Sequence, residues 1–208
     1  MWRANLTHDK IGSTTAMNWA NRLTLSRLVF TLLFVVALGS TWRYAYAAAL
    51  TLFVIGSVTD LADGEVARRY AAITNFGKLM DPLVDKIMIA SAFICLVSLN
   101  AVPAWAAVAV VARDFLITGL RLMASARGQV LGAEKLGKHK TSWQMITVSF
   151  FLIMLAAREL HYIEASGIWW HRGWKVTGPI LTYITVALTI YSGLAYAWRH
   201  REVIAADV

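Results

Sequence analysis

Six apolar runs, each close to the length that crosses a lipid bilayer, occupy most of this 208-residue chain. A helix needs about 20 apolar residues to cross the hydrocarbon core, because each residue adds about 1.5 Å to its length. The chain is 58% hydrophobic and its mean hydropathy is +0.56, which is too apolar for an ordinary soluble domain. We therefore predict an all-α integral membrane protein whose six transmembrane helices cover residues 27–41, 45–67, 80–99, 102–126, 139–157 and 178–198.

These runs leave no room for a separate soluble module, so residues 1–208 are expected to form one domain. Residues 1–26 would be a cytoplasmic and interfacial segment, 27–198 the six-helix bundle, and 199–208 a cytoplasmic tail. Residues 16–26 are less apolar than a span and predict an amphipathic helix that lies along the interface before the first crossing. The first twenty residues are polar and mixed, so no cleavable signal peptide is expected.

The charged residues outside the runs predict the orientation. With the N-terminus in the cytoplasm, thirteen Lys and Arg residues fall on the cytoplasmic side, and only Arg43, Arg158, Arg172 and Lys175 fall on the other. This distribution satisfies the positive-inside rule, with both termini cytoplasmic. The net charge of +8 suits anionic lipid headgroups, and we expect no nucleic-acid partner. The segment 158–177 contains Tyr162, Trp169, Trp170 and Trp174, and we interpret it as an anchoring loop at the outer interface.

Four aspartates interrupt the second and third apolar runs, and carboxylates are costly inside a membrane helix unless something compensates their charge. Asp60 and Asp63 are three residues apart, and Asp81 and Asp85 are four apart, so each pair lies on one helix face. The short connection between the two runs predicts antiparallel neighbours, with all four carboxylates at one depth near the cytoplasmic surface.

Oxygen-only ligands favour hard cations, so the aspartates predict a pair of Mg²⁺ or Mn²⁺ ions. Two such ions about 4 Å apart would suit phosphoryl chemistry. Without cations, clustered aspartates would hold protons instead. The residues alone therefore leave a proton or ion relay in a transporter as an alternative.

Written as a pattern, the segment is D-x2-D-G-x2-A-R-x8-G-x3-D-x3-D, from Asp60 to Asp85. At every defined position it resembles the signature of the CDP-alcohol phosphotransferases. Members of that family have six transmembrane helices after an amphipathic one, use a divalent metal pair, and are commonly homodimers. They displace CMP from a CDP-linked lipid with an alcohol.

The resemblance implies roles for individual residues. Asp60, Asp63, Asp81 and Asp85 would bind the metal ions, and Asp85 would also be the general base. A second, shorter element, N-R-L-T-L-S-R from Asn21 to Arg27, resembles the N-x-x-T-x-x-R element of the family. Contacts to the CDP-lipid would then come from Asn21, Thr24, Gly64, Ala67, Arg68 and Thr74.

The remaining basic residues bear on the acceptor alcohol. Several cations at membrane depth suggest that the acceptor carries its own phosphate. The arrangement R-D…R…G-K-H-K-T-x-x-Q resembles family members that use sn-glycerol 3-phosphate and make phosphatidylglycerol phosphate. That resemblance implies CDP-diacylglycerol as the donor, and the candidate contacts to the acceptor phosphate are Arg113, Arg121, Lys135, Lys138 and Lys140.

Other functions stay open at this point. The same chemistry could use inositol phosphate, or phosphatidylglycerol as in a cardiolipin synthase. A divalent-cation transporter would move ions and release no CMP. The lysines could also serve only topology and lipid binding. The compact six-helix size predicts a bacterial inner membrane, with the active site facing the cytoplasm.

Overall fold

The computed structural model describes residues 10–70, 75–126, 135–162 and 167–201. Within these ranges, side chains are described for residues 25–58, 83, 84, 86–125, 140–162 and 167–201. All the regular structure in these ranges is helical, and they contain no strand. The all-α prediction is therefore confirmed for the described part of the chain.

Five long helices, one short helix and a final long helix follow one another along the chain. They are α1 (Lys10–Gly39), α2 (Ala45–Tyr70), α3 (Asn75–Ser98), α4 (Ala104–Ala126), α5 (Lys135–Glu159), α6 (Ile168–Arg172) and α7 (Gly178–Arg199). A π-helical turn, Gly173–Thr177, joins α6 to α7. The predicted spans from 45–67 onward each coincide with one long helix to within about five residues at either end, whereas α1 begins 17 residues before the predicted first span.

The structure differs from the sequence-based expectations at two places. Helix α1 runs without a break from Lys10 to Gly39, so the expected interfacial helix and the first span belong to one helix. The expected loop at 158–177 is helical from Ile168 onward. That part of the expectation is wrong, because the aromatic residues pack as helix faces. Trp170 stacks on Trp174 with ring centroids 4.8 Å apart, and Trp174 packs against Phe151 of α5.

Helices α3 and α5 end in the same way. Asn100 and His161 have positive φ values of 54° and 61°, in the left-handed region. In each case the next residue donates its backbone N–H to the carbonyl five residues back: Ala101 to Leu96, and Tyr162 to Ala157. This is the bond pattern of a Schellman motif, which satisfies carbonyls that the helix end would leave unpaired.

Helix α5 holds the bundle together, because it packs against α2, α3 and α7. Helix α1 lies against α2 and α3, and α4 lies against α3 and α7. Small buried residues such as Ala49, Ala92 and Ala106 let the backbones approach closely. The core between them contains Phe34, Phe53, Phe93, Leu96, Val110, Val148, Phe151, Leu152 and Val186.

The bundle is apolar outside and partly polar inside. Large apolar side chains are exposed on the outward faces of α1, α4 and α7, including Leu32, Val36, Val108, Leu116 and Leu194. Hydroxyl-bearing residues are buried between α5 and α7. Extensive exposed apolar surface marks a protein or membrane contact. Among the described residues, the stretches Lys140–Glu159 and Ile168–Arg199 are long and apolar enough to cross a membrane.

Glu159, at the end of α5, caps the start of α2. Its Oε1 accepts the backbone N–H of Tyr46 at 3.0 Å, and its Oε2 accepts that of Ala47 at 2.8 Å. The first N–H groups of a helix have no partner within the helix, so this carboxylate satisfies two of them from another helix. The contact places the end of α5 and the start of α2 at the same end of the bundle.

Candidate active site

A side chain of α3 contacts α2 close to the aspartate positions. Position 56 of α2 lies four residues before Asp60, and Met88 of α3 lies three residues after Asp85. The Met88 side chain lies against the backbone at Gly56, where an added Cβ would be 2.9 Å from Met88 Sδ. Because residues three or four apart share a helix face, the faces carrying positions 60 and 63 and positions 81 and 85 adjoin this contact.

Several predicted site residues lie outside the described side chains, although most of them stand in described helices. Among the side chains that the structure describes, no group of three or more His, Cys, Asp or Glu could hold a metal ion. The side chains outside that part are those of Asn21, Thr24, Asp60, Asp63, Gly64, Ala67, Arg68, Asp81, Asp85, Lys135 and Lys138, and Thr74 lies outside the described residues altogether. Arg27, which closes the shorter upstream element, is buried in α1.

A basic cluster lies where α4, α5 and α7 meet, and it consists of Arg113, Asp114, Lys140, Gln144 and Ser192. At its centre Asp114 is only 5% exposed, and Lys140 is 1% exposed. The Lys140 ammonium donates to Asp114 Oδ1, and Gln144 Nε2 donates to Asp114 Oδ2 at 3.2 Å. Two of the predicted acceptor contacts, Arg113 and Lys140, therefore meet at one carboxylate.

Arg113 spans from this carboxylate to α7. Its Nη1 lies 3.4 Å from Asp114 Oδ1, and its Nη2 donates to Ser192 Oγ at 3.2 Å. The side chain passes over Gly193, where an added Cβ would lie 2.9 Å from Arg113 Cγ. Because glycine has no side chain, position 193 leaves space for the aliphatic part of the Arg113 side chain.

Within the described side chains, the basic cluster places two basic groups beside one acidic group. Arg113 and Lys140 both contact the single carboxylate of Asp114. Electrostatic interactions are strengthened where water is scarce, so such a grouping at this depth suits an anionic ligand.

Arg121 lies apart from the basic cluster. It stands two turns beyond Asp114 on α4, and its Nε donates to the hydroxyl of Tyr196 at 3.3 Å. The guanidinium carbon also lies 5.2 Å from the centroid of the Tyr196 ring, which is a cation–π distance. The structure therefore separates Arg121 from Arg113 and Lys140 by roughly 10 Å along the helix axis.

The partners from α7 lie outside the sequence-based predictions, although their spacing is visible in the sequence. The stripe consists of Thr182, Thr185, Thr189, Ser192 and Tyr196, which are spaced alternately three and four residues apart and are all buried. Such a polar stripe in an apolar span indicates a face turned toward other helices. Gln144 is the last residue of the G-K-H-K-T-x-x-Q pattern, four residues after Lys140 and therefore on the same face, but no role was predicted for it.

Comparisons with known proteins assign the chain to a family. A family model described as CDP-alcohol phosphatidyltransferase matches residues 17–191. The chain therefore belongs to the CDP-alcohol phosphatidyltransferase family, and it is a transferase. The match covers α2 and α3, which carry the aspartates, and every residue of the basic cluster except Ser192.

The relatives are bacterial enzymes of nearly the same length. A protein of Bacillus subtilis (strain 168), named CDP-diacylglycerol–glycerol-3-phosphate 3-phosphatidyltransferase, is 37% identical over 197 residues, which is 89% of this chain and 96% of the relative. A protein of the same name from Rickettsia felis is 30% identical over 179 residues, 86% of this chain and 93% of the relative. A third, from Treponema pallidum, is 32% identical over 154 residues, 74% of this chain and 70% of the relative.

Proposed function

We propose that this protein transfers a phosphatidyl group from CDP-diacylglycerol to sn-glycerol 3-phosphate. The products are phosphatidylglycerol phosphate and CMP. The names of the relatives support the donor and the acceptor. The structural observation that carries the proposal is the basic cluster, in which Arg113 and Lys140 meet beside one carboxylate inside the bundle, because an acceptor that bears a phosphate suits such a site.

The four aspartates are proposed to bind two divalent cations, Mg²⁺ or Mn²⁺. The family depends on divalent metal ions, and a donor set made only of carboxylate oxygens suits hard cations. The contact between Gly56 and Met88 supports the site, since it brings the α2 face of Asp60 and Asp63 toward the α3 face of Asp81 and Asp85. When bound, such ions stabilise negative charge on the reacting phosphate groups.

The residues of the chain then have distinct tasks. The acceptor hydroxyl oxygen forms a bond to the lipid-side phosphorus, and the bond from that phosphorus to the CMP oxygen breaks. CMP leaves with the electron pair, and Asp85 takes the hydroxyl proton as general base. Contacts to the CDP-lipid are assigned to Asn21, Thr24, Gly64, Ala67, Arg68 and Thr74, and the acceptor phosphate to cations among Arg113, Arg121, Lys135, Lys138 and Lys140.

The proposed setting is a bacterial inner membrane, with the active site facing the cytoplasm. Helices α1 to α5 and α7 would be the six membrane-spanning helices, and both termini would be cytoplasmic. The outward apolar side chains and the buried hydroxyl groups support this assignment. We also propose that the enzyme is a homodimer, as is common in its family.

The acceptor is tested by supplying purified protein with CDP-diacylglycerol and one radiolabelled alcohol at a time. The alcohols are glycerol 3-phosphate, inositol phosphate, serine and phosphatidylglycerol, and the readouts are labelled lipid and released CMP. We expect incorporation from glycerol 3-phosphate. Incorporation only from another alcohol would contradict the acceptor, and ion flux without CMP release would contradict the reaction class.

The role of Asp85 is tested by Asp85→Asn, which keeps the shape of the side chain and removes the base. We expect turnover to fall by about a thousandfold or more, since the variant also loses a metal-binding charge. Helical content measured by circular dichroism should stay unchanged, and some nucleotide binding should remain. Activity like that of the wild type would remove Asp85 from the base role.

A further inference from the structure

We propose that Asp114 and Lys140 form a positioning pair that controls Arg113, and that Lys140 does not itself touch the acceptor phosphate. This inference rests on the proposed function, because it assigns tasks within the proposed acceptor site. It divides the basic cluster into one guanidinium that binds the phosphate and one buried ion pair that sets the position and charge of that guanidinium.

The burial of Lys140 is the first argument. The side chain is 1% exposed, and its ammonium is bonded to Asp114 Oδ1. Because so little of the side chain is exposed, a phosphate could reach this ammonium only after the surrounding side chains move. Removing one member of a buried ion pair leaves an uncompensated charge in a medium of low dielectric constant, which is costly.

The second argument is that Asp114 is held from two helices. Lys140 and Gln144 of α5 bind opposite oxygens of the carboxylate, and Thr118 donates to the backbone carbonyl of Asp114 within α4 at 2.7 Å. Lys140 and Gln144 are four residues apart and approach from one face of α5. The carboxylate is thereby fixed at a defined place beside Arg113.

Arg113 is the member that remains suited to a ligand. Its side chain is 14% exposed, against 1% for that of Lys140, and its contact to Asp114 is long at 3.4 Å. A guanidinium offers several donors in a planar fork that matches phosphate oxygens. Ser192 of α7 accepts from Nη2 and keeps the group oriented across the helix interface.

The ion pair explains why a carboxylate can stand next to a phosphate-binding arginine. If Lys140 were absent, Asp114 would draw Arg113 into a full salt bridge and compete with the acceptor. If Asp114 were absent, the Lys140 and Arg113 cations would repel each other. With both present, Lys140 offsets the Asp114 charge and weakens the hold of that carboxylate on Arg113.

This mechanism predicts a characteristic result for four proteins: the wild type, Lys140→Met, Asp114→Asn and the double variant. We expect Lys140→Met to raise the KM for glycerol 3-phosphate about tenfold, with the KM for CDP-diacylglycerol within about twofold of the wild type. In the double variant no carboxylate remains to capture Arg113. Its KM for glycerol 3-phosphate should therefore return to within about threefold of the wild type.

A double variant that does not recover the KM of the wild type for glycerol 3-phosphate would overturn the inference. If Lys140 binds the phosphate directly, the double variant will have a KM at least as high as that of Lys140→Met. Lys140→Arg, which keeps the charge, should stay within about threefold of the wild type. Lys175→Met, which removes an exposed lysine of the π-helical turn before α7, is the matched control and should leave both KM values unchanged.

A second measurement needs no variant and remains informative if a variant fails to fold. Detergent-solubilised wild-type protein is treated with an amine-acylating reagent with and without glycerol 3-phosphate, and modified lysines are located by mass spectrometry. We expect Lys140 to stay unmodified in both samples, with exposed Lys175 modified in both as the positive control. Modification of Lys140 that glycerol 3-phosphate prevents would identify it as a phosphate ligand and overturn the pair.

The two proposals fail in different ways. A wild-type protein that releases no CMP with glycerol 3-phosphate contradicts the proposed function, whatever lysines are modified. An active wild-type protein with a protected Lys140, or with a double variant no better than Lys140→Met, contradicts only the positioning pair.

Discussion

Asp114 and Glu159 are both carboxylates placed between helices, but the bundle compensates their charges in different ways. Glu159 receives two backbone N–H groups at the start of α2, and no described cation bonds to it. Asp114 receives side-chain donors from Lys140, Gln144 and Arg113. The two sites lie roughly 28 Å apart along α5, as judged from the 19 residues between Lys140 and Glu159.

In our proposal the same type of side chain serves structure in one place and helps to form a ligand site in another. Backbone amides and the positive end of a helix dipole supply only partial charge, and their positions are fixed. Glu159 is satisfied by such groups and joins α5 to α2. Asp114 is instead contacted by the basic side chains of Arg113 and Lys140, the groups that we propose to act in acceptor binding.

The comparison predicts that changing Glu159 will alter stability far more than catalysis. Glu159→Gln retains one acceptor oxygen, but it removes the charge and turns an NH₂ group toward a backbone N–H. We expect a loss of about 2 kcal/mol, which corresponds to about 4–8 °C in the midpoint of thermal unfolding for a chain of this size. Thermal unfolding in detergent measures it, and kcat/KM well below the transition should stay within about twofold.

Arg158→Gln is the matched control for this prediction, because it removes a single charge from an exposed neighbour. Among the described contacts, that variant loses the cation–π contact to Trp170, at 4.8 Å, and it should change stability by less than about 1 kcal/mol. Equal losses in the two variants would show that Glu159 acts through net charge and not as a cap.

At the basic cluster we expect a substitution to alter substrate binding more than stability. Gly193→Ala would place a methyl group against the stem of Arg113 and displace the guanidinium. We expect the KM for glycerol 3-phosphate to rise about tenfold, equivalent to about 1.4 kcal/mol of binding free energy, with the KM for CDP-diacylglycerol nearly unchanged. Steady-state kinetics on both substrates separate the two constants.

Gly119→Ala adds the same methyl group to α4, where an added Cβ meets nothing within 4 Å. It should leave both KM values unchanged. A lower thermal midpoint for Gly193→Ala with an unaltered KM would make Arg113 a structural residue and remove the contrast with Glu159.

The smallest expected effect concerns a buried hydroxyl between the two regions. Among the described residues Thr189 Oγ1 has no hydrogen-bond partner, and the side chain is fully buried. Thr189→Val removes an unsatisfied group at nearly constant shape, so stability should stay equal or rise by up to about 1 kcal/mol. Thermal unfolding again measures the change.

Thr185→Val is the comparison for that experiment, since its hydroxyl bonds to Thr147 Oγ1 at 2.8 Å and to the carbonyl of Trp143 at 3.2 Å. That variant should lose about 1 kcal/mol. Destabilisation of the same size at both positions would mean that Thr189 has a partner such as a buried water molecule.

Much of the helical framework could be predicted from the sequence, because apolar length alone determines where helices lie. The spans 45–67, 102–126 and 178–198 coincide closely with α2, α4 and α7. The helical segment after Ile168 escaped prediction, since its tryptophans also suit an interfacial loop. Their stacking depends on α5, and the apolar content of the segment itself gives no sign of it.

The sequence allowed us to predict which residues belong to the candidate site, but not which hydrogen-bond partner each of them takes. The spacing of Arg113, Arg121 and Lys140 marked them as cations at membrane depth. Which partner each one takes depends on helix packing, so the pairing of Lys140 with Asp114 and of Arg121 with Tyr196 required coordinates. The roles of Asp60, Asp63, Asp81 and Asp85 stay predictions from the family resemblance, supported by the approach of α2 to α3 at Gly56.

The continuity of α6, the π-helical turn and α7 has a consequence for how deeply the enzyme sits in its membrane. The stretch Ile168–Arg199 contains 32 residues, which at about 1.5 Å each measure roughly 48 Å, well beyond a hydrocarbon thickness of about 30 Å. In the proposed membrane setting, about three turns would therefore stand among the lipid headgroups, where tryptophans such as exposed Trp169 prefer to reside. Because those turns and Ser192 belong to one continuous helix, the headgroup layer would then set the height at which Arg113 meets water-soluble molecules.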